Sequence, residues 1–451
     1  MSQWFLGGMA AGLAAGSLLM AAAAGAAETN APLAMDLPTA LRLAGAQNLE
    51  VRIAQERLNK ARAEHDQARA KFFPWFQPSV GYRRHDGHIQ DVAGNILDLS
   101  KQSYSPGVLL GAQVDLGEAI YQSLAAKQRT VAAQETVAAE RQKSVASAAA
   151  GFLELSRAQG AVEAAREAVR IAEDYLRQVT QAVAAGIAFK GDQFRAEVRV
   201  EQNRQLLAQV ETDRRVAAAR LCQLLRLDPA TDLAPVEVLL APLKFPEAEQ
   251  PLAILLAQAH ANRPELRAAD ASLASAKTEV KGVTVGPLIP TVSAQASAYG
   301  LGGGRNGDGG NWGDGQDYFV GLSWRIGPGG LFDGPRKRSA LAREKLVELE
   351  KQRLQDEIAT EVVEAHARAA SLDQRLAMSQ RALQAAHTTL QLTRERKEFG
   401  VGAVLETLQA EEQFTRARLD YLQAIAALSR AHFDLHRAIG WPIATTLAPA
   451  P

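Results

Sequence analysis

Ala185-Gly186-Ile187-Ala188-Phe189-Lys190-Gly191-Asp192-Gln193-Phe194-Arg195-Ala196-Glu197 and Phe399-Gly400-Val401-Gly402-Ala403-Val404-Leu405-Glu406-Thr407-Leu408-Gln409-Ala410-Glu411 are one passage written twice, about 215 positions apart. Each places glycine where a long proline-free run breaks, then an acidic residue, then Ala-Glu. Glycine lacks Cβ and takes positive φ at little cost, so each passage reads as a turn between two helices. The proline-free runs extend from Gly107 to Asp228 and from Arg336 to Trp441. A repeat this long, present twice, indicates internal duplication and not a solenoid.

Working outward, both copies show the same landmarks in the same order. A short apolar-periodic helix leads to Asn48-Leu49-Glu50-Val51 in one copy and Arg263-Pro264-Glu265-Leu266 in the other. Proline pairs follow, Pro74 with Pro78 and Pro287 with Pro290, and end the helix because proline has no N–H and clashes with the preceding turn. Then come alternating segments. Val108, Leu110, Ala112, Val114 and Leu116 alternate with small or polar residues, as do Val292 to Ala298 and Tyr318 to Ile326, and a weaker segment spans Ser79 to Arg83. Such segments of about nine residues fit transmembrane β-strands. The intervening stretches, Arg84 to Ser103 and Gly300 to Asp317, are polar and glycine-rich, and are expected to be long outer loops.

Beyond the strands the period changes. Leu155, Ala158, Val162, Ala165, Val169, Ala172, Leu176, Val179 and Val183 keep strict 3-4 spacing, and Val347, Leu354, Ile358, Val362, Ala365, Ala369, Leu372, Leu376, Leu383 and Leu390 form a matching seam with one inserted residue. That is a coiled-coil signal. From Pro335 to Gly400 an uninterrupted helix would be about 96 Å long. After each glycine break the chain runs back, so each copy is an antiparallel helical hairpin.

The expected organisation is a signal peptide at 1–27, a lead at 28–35, a first repeat at 36–229, a linker at 230–251, a second repeat at 252–442 and a tail at 443–451. Residues 1–27 carry no charge, contain an apolar run from Trp4 through Met20 and end in small residues, as a cleavable secretory signal does. An uncleaved anchor is the competing reading of the same run. Cys222 is the sole cysteine, which excludes intramolecular disulfides and lipid attachment through an N-terminal cysteine. Fifty basic and fifty acidic side chains balance to a net charge of +0, so no basic stripe invites nucleic acid. Four strands cannot close a barrel, since about eight is the minimum. Other copies of the chain must complete it, in a cyclic oligomer.

These features resemble the TolC-like outer-membrane efflux and secretion channel family. The resemblance rests on the ordered duplication, the Asn48 and Arg263 helices, Trp324 through Leu331-Phe332-Asp333-Gly334, and Gly400-Val401-x-x-x-Leu405-Glu406-x-Leu408-x-Ala410. It implies a mainly α fold with a transmembrane β-barrel contribution. Three chains would build a twelve-stranded barrel in the outer membrane, continued by an α-helical tunnel through the periplasm. It implies a homotrimer that works with a periplasmic adaptor and an inner-membrane transporter or secretion ATPase, and that contacts outer-membrane lipid. It places Glu406 at the narrow periplasmic end, with Gln409 where the family often has aspartate. Asp192, the first-copy counterpart of Glu406, either lines the same end or pairs with Lys190. The turns at Gly186, Ile187, Gly400, Val401 and Gly402 would dock the adaptor. The competing class is a soluble periplasmic coiled-coil adaptor or scaffold, which the hairpins alone would permit and the four strands disfavour.

Other signals lead nowhere. Gly302-x-Gly304-x-x-Gly307 is followed by Asp308-Gly309-Gly310 and not by a helix, so it does not cradle a phosphate. Asp308, Asp314 and Asp317 lack ordered calcium spacing. His432 with His436, and His85 with His88, have no third ligand and are expected as seam or exposed residues. No serine, histidine and acid stand in a nucleophile-elbow context. No catalytic residue, cofactor or metal is expected, and the protein is expected not to be an enzyme.

Overall fold

The computed structural model describes residues 32–238, 241–305, 310–398 and 404–441. The N-terminal 1–27 segment, the second turn at Gly400, Val401 and Gly402, and the 443–451 tail lie outside them. The elements run β1 (Leu33–Met35), α1 (Leu37–Gln47), α2 (Leu49–Ala70), β2 (Trp75–Gln90), β3 (Ile96–Asp115), α3 (Leu116–Ala184), α4 (Lys190–Leu225) and β4 (Leu233–Pro235). The second half follows with α5 (Leu252–Asn262), α6 (Pro264–Thr284), β5 (Thr291–Arg305), β6 (Asn311–Ser323), α7 (Gly334–Glu398) and α8 (Val404–Ala438). No described helix is long and apolar enough to cross a membrane.

The four long strands form one antiparallel sheet in the order β2-β3-β5-β6, with β2 and β6 at open edges. Here the expected loops need correction. Strands continue through most of Arg84 to Ser103, so that β2 and β3 stay in register from Trp75↔Gly111 to Gln90↔Ile96. The turn is confined to the few residues around Asp91, whose carboxylate accepts from the Asn95 backbone N–H at 2.8 Å. Backbone pairing does not require apolar side chains, and the alternation simply becomes polar on both faces beyond Tyr82. At the other end the strands stop sooner than expected. Leu116 already belongs to α3, and Ile326 makes only an isolated bridge to Leu331.

One face of the sheet is apolar and exposed. Phe76, Val80, Tyr82, Leu110, Tyr318, Val320 and Leu322 lie on it, and Tyr82, Tyr104 and Trp312 close its upper margin as a contiguous row with ring centroids 5.1 and 6.2 Å apart. An apolar band rimmed by aromatics is the lipid-facing surface of a transmembrane barrel. The opposite face carries Gln77, Ser79, Ser103, Ser105, Ser293, Gln295 and Ser297, which by period-2 alternation face the lumen.

Strands pass straight into helices. Asp115, the last residue of β3, caps α3 by accepting from the Glu118 N–H at 2.9 Å. Asp333 does the same for α7 through the Arg336 N–H at 3.0 Å and also accepts from the Gly329 N–H at 2.8 Å. Those N–H groups hold its carboxyl below the usual aspartate value. Gly117 lets the first turn of α3 touch the backbone of Gly286, where a Cβ would meet the carbonyl oxygen at 2.0 Å.

The 69 residues of α3 span about 100 Å. Its seam residues Leu155, Ala158, Val162, Ala165, Ala172 and Val179 are buried, as are Ile358, Val362, Ala365, Ala369, Leu376 and Leu390 of α7. The main core gathers Leu41 and Ala44 of α1, Phe152 and Leu153 of α3, Leu221, Cys222 and Leu225 of α4, and Phe245 and Phe433. A parallel pairing of β1 with β4 ties the lead to the linker between repeats.

The two landmark motifs do one job with different chemistry. Asn48 caps α2 through the Glu50 N–H and donates its amide to the Leu224 carbonyl in the last turn of α4. Arg263 instead donates to the Arg437 carbonyl in the last turn of α8, at 3.1 Å, and pairs with Glu361. The last carbonyls of a helix lack intrahelical donors, and both side chains supply one.

His432 and His436 are seam residues. His432 Nδ1 accepts from the Phe245 N–H at 3.2 Å, and the His436 ring stacks on Phe245 with Glu247 3.9 Å away. Burial pushes both imidazoles below the ordinary value of 6.5, and Lys244 adds repulsion at His432. A base whose folded-state pKa lies below its unfolded one gives stability that is full above the unfolded value and lost as pH falls beneath it. Thermal melting of the helical signal in detergent should therefore occur at lower temperature at about pH 5 than at about pH 8. His432→Gln, whose amide oxygen can still accept from Phe245, should shrink that difference. An unchanged difference would show that His432 is not the group that titrates.

Candidate functional site: the far end of the helical hairpins

The first hairpin turns at Gly186, whose φ of +74° is the left-handed conformation expected there. The N–H groups of Ile187 and Ala188 return to the Ala182 carbonyl and close the end of α3. Ile187 and Phe189 project from the tip, 82% and 75% exposed.

Glu406 stands in the first turn of α8, where the positive end of the helix favours a carboxylate. It is half exposed and lies 3.8 Å from the Arg396 guanidinium near the end of α7. Gln409 is one turn further on, and lines a groove of about 490 Å³ between α4 and α8 with Phe194, Arg195, Val198, Arg199 and Glu412. Asp192 pairs with Arg195 at 3.1 Å. Of the two arrangements open for Asp192, the one with Lys190 is therefore not what the structure adopts. The groove joins Gln409 to the Asp192–Arg195 pair, while Glu406 sits beside it on the same end of the body.

The sequence reading missed what holds this end together. Arg199 of α4, its side chain 12% exposed, reaches across to Glu412 of α8 at 3.3 Å. Tyr175 of α3 is buried against Val179, Ala196 and Leu408 and donates its hydroxyl to the Val404 carbonyl at 3.4 Å. Burial is the main reason that its pKa is pushed up to about 12, with a hydrogen bond from Thr407 working the other way. The phenol remains a donor across the physiological range. Arg394 of α7 lies 3.4 Å from Glu411, a carboxylate only 6% exposed.

For Glu411 a signal existed in the sequence. Val404, Leu408, Glu411, Thr415, Arg418, Leu422, Ile425, Ser429, His432 and His436 keep 4-3 spacing, so α8 has a seam with polar members. Charged and hydroxyl residues at seam positions mark places where the seam is held by specific partners. Among the described residues, no group of three or more potential metal ligands converges.

Comparisons with known proteins agree with this architecture. The chain is 28% identical over 399 residues to protein CyaE of Bordetella pertussis (strain Tohama I), covering 85% of this chain and 79% of that protein. Its fold is similar to that of the outer-membrane channel OprN, with a TM-score of 0.73 at 22% identity, covering 90% of this chain and 89% of that one. The open state of the Neisseria gonorrhoeae MtrE outer membrane channel also superposes with a TM-score of 0.73, at 20% identity over 90% and 89% of the two chains. The sequence profile of the outer membrane efflux protein family matches residues 40–225 and again residues 255–441. One profile thus fits both halves of a duplicated chain over most of its length, and this protein belongs to the outer membrane efflux protein family, as an efflux or secretion channel of the outer membrane.

Proposed function

We propose that three copies of this chain form the passive exit duct of a tripartite efflux pump or type I secretion system, energised by an inner-membrane partner and reached through a periplasmic adaptor. The observation that carries this is the sheet with two open edges that continues directly into helical hairpins about 100 Å long. Unpaired strand edges cannot be left in hydrocarbon, and β6 of one copy can pair with β2 of the next until twelve strands close. Exposed Leu341, Leu346, Leu349 and Met378 along α7 give the copies further apolar surface to share. A soluble adaptor or scaffold has no use for an exposed aromatic-rimmed apolar sheet. Separating the two membranes of a Gram-negative host by density gradient should place the protein in the outer membrane, and crosslinking there should stop at a trimer. A dimer or an open ladder of sizes would exclude the twelve-stranded barrel.

Glu406, Gln409 and Asp192 are proposed to line the narrow end, and Gly186 and Ile187, with Gly400, Val401 and Gly402 of the second turn, to receive the adaptor. Three Glu406 carboxylates around the axis would form a ring that favours cations. Replacing Glu406 by alanine should lower the cation-over-anion permeability ratio in planar bilayers by roughly threefold, the scale of removing partly screened charges from a pore. An unchanged reversal potential would remove Glu406 from the constriction.

Opening this end requires the second hairpin to leave the first, and Arg199–Glu412 and Tyr175–Val404 are the ties that resist it. An ion pair whose carboxylate is largely exposed contributes at most about 1 kcal/mol, enough for a few-fold change in a two-state population. Arg199→Ala combined with Tyr175→Phe should therefore raise mean conductance by at least about twofold. Equal conductance in variant and parent would show that these contacts do not restrain the end.

A further inference from the structure

The lumenal face of the sheet changes character near its outer end. Below, it carries glutamines and serines together with Leu109, Tyr299, Phe319 and one acid, Asp317. Above Ser79 the same alternation brings Arg83, His85 and Lys101 onto that face. The ladder makes them neighbours: His85 pairs with Lys101, and the Cα partner of Lys101 on its other side is Arg305. Arg83 opposes Ser103, two positions from Lys101, so the two cations are diagonal neighbours on this face. Along β2 and β3 no acid stands among them, because the lumenal positions from Ser79 to Gly87 and from Leu99 to Gly107 are glycine, serine, leucine or basic.

The opposite face of the same strands shows the contrast. Arg84, one residue from Arg83, is paired with Asp86 at 2.7 Å, and Asp86 also accepts from the Ser100 hydroxyl at 2.5 Å. One face of this outer segment is neutralised and the other is left cationic. Arg83 and Lys101 are both exposed and neither makes an ion pair among the described residues. A lipid ligand is excluded by position, since the lipid-facing band ends at Tyr82, Tyr104 and Trp312 on the other side.

We infer that Arg83 and Lys101, with His85 beside them, form a cationic collar at the outer exit that binds multivalent oxyanions, such as the phosphate groups of small phosphorylated solutes. The collar rests on the closed-barrel reading, because three copies are needed to set it around the pore. Arginine supplies a planar fork and lysine a point charge to an oxyanion that bridges neighbouring strands. Field lines focused by the low-dielectric barrel wall raise the local anion concentration at the mouth. Anionic solutes leaving the duct are drawn forward, and small cations outside are repelled from re-entry.

The test is side-dependent block of the full-length channel inserted in one orientation in a planar bilayer, with sodium tripolyphosphate as probe. Block from the barrel side should need at least about tenfold less probe than block from the tunnel side, and Arg83→Gln with Lys101→Gln should raise the barrel-side half-blocking concentration by about tenfold, two charge-assisted contacts being lost. Arg83→Lys should keep most of the block, and Arg84→Gln, on the lipid-facing side, should keep all of it. Conducting wild-type channels that show equal block from both sides would overturn the collar and leave the duct standing. Unchanged block in the double glutamine variant, or an equal loss in Arg84→Gln, would overturn it too.

Discussion

The passage from strand to helix without a linker is the constraint on which the rest of the molecule depends. At Asp115-Leu116 the residue that ends β3 is also the residue that caps α3. Barrel register therefore dictates where the long helix stands. Gly117 against Gly286 brings the two repeats to backbone contact at this level, and Asp333 fixes the start of α7 through two backbone N–H groups. A helix placed at its root can carry position over about 100 Å, because a hydrogen-bonded rod bends only gently.

Duplication supplies the frame, and divergence within it makes the copies unequal. Asn48 and Arg263 occupy matching places and both bind the closing turn of a returning helix, yet one is a neutral amide and the other a buried guanidinium with two carboxylates beside it. A lone buried guanidinium would be costly to desolvate, and Glu361 and Glu265 offset that cost. Glu361 is shared with Arg437 of α8, so the second copy is locked at the equator by charge where the first is locked by an amide and a larger apolar core.

Much of this was readable from the chain. Seams such as Leu155 to Val179 follow from 3-4 spacing because burial selects one helical face, and the Gly186 turn follows from the cost of positive φ for any residue with a Cβ. Strand length was misread because alternation reports a difference between two faces. Past Tyr82 that difference disappears: Arg84 and Asp86 face one side, Arg83 and His85 the other, and hydropathy no longer separates them although the backbone ladder continues. The candidate site was half legible. Glu406 and Gln409 stand out beside a glycine turn, whereas Arg199 and Tyr175 matter only through partners more than two hundred positions away.

The two seams differ in what water would do to them. Leu155, Ala158, Val162 and Ala165 in α3 offer nothing for water to bind, so hydrating that seam loses apolar burial outright. The α8 seam contains Glu411, Thr415, Arg418, Ser429, His432 and His436, groups that regain hydrogen bonds when water enters. Separating α8 from its neighbours costs correspondingly less than separating α3 from its own. If this end opens as proposed, that difference makes the second hairpin the displaceable wall and the first the fixed one.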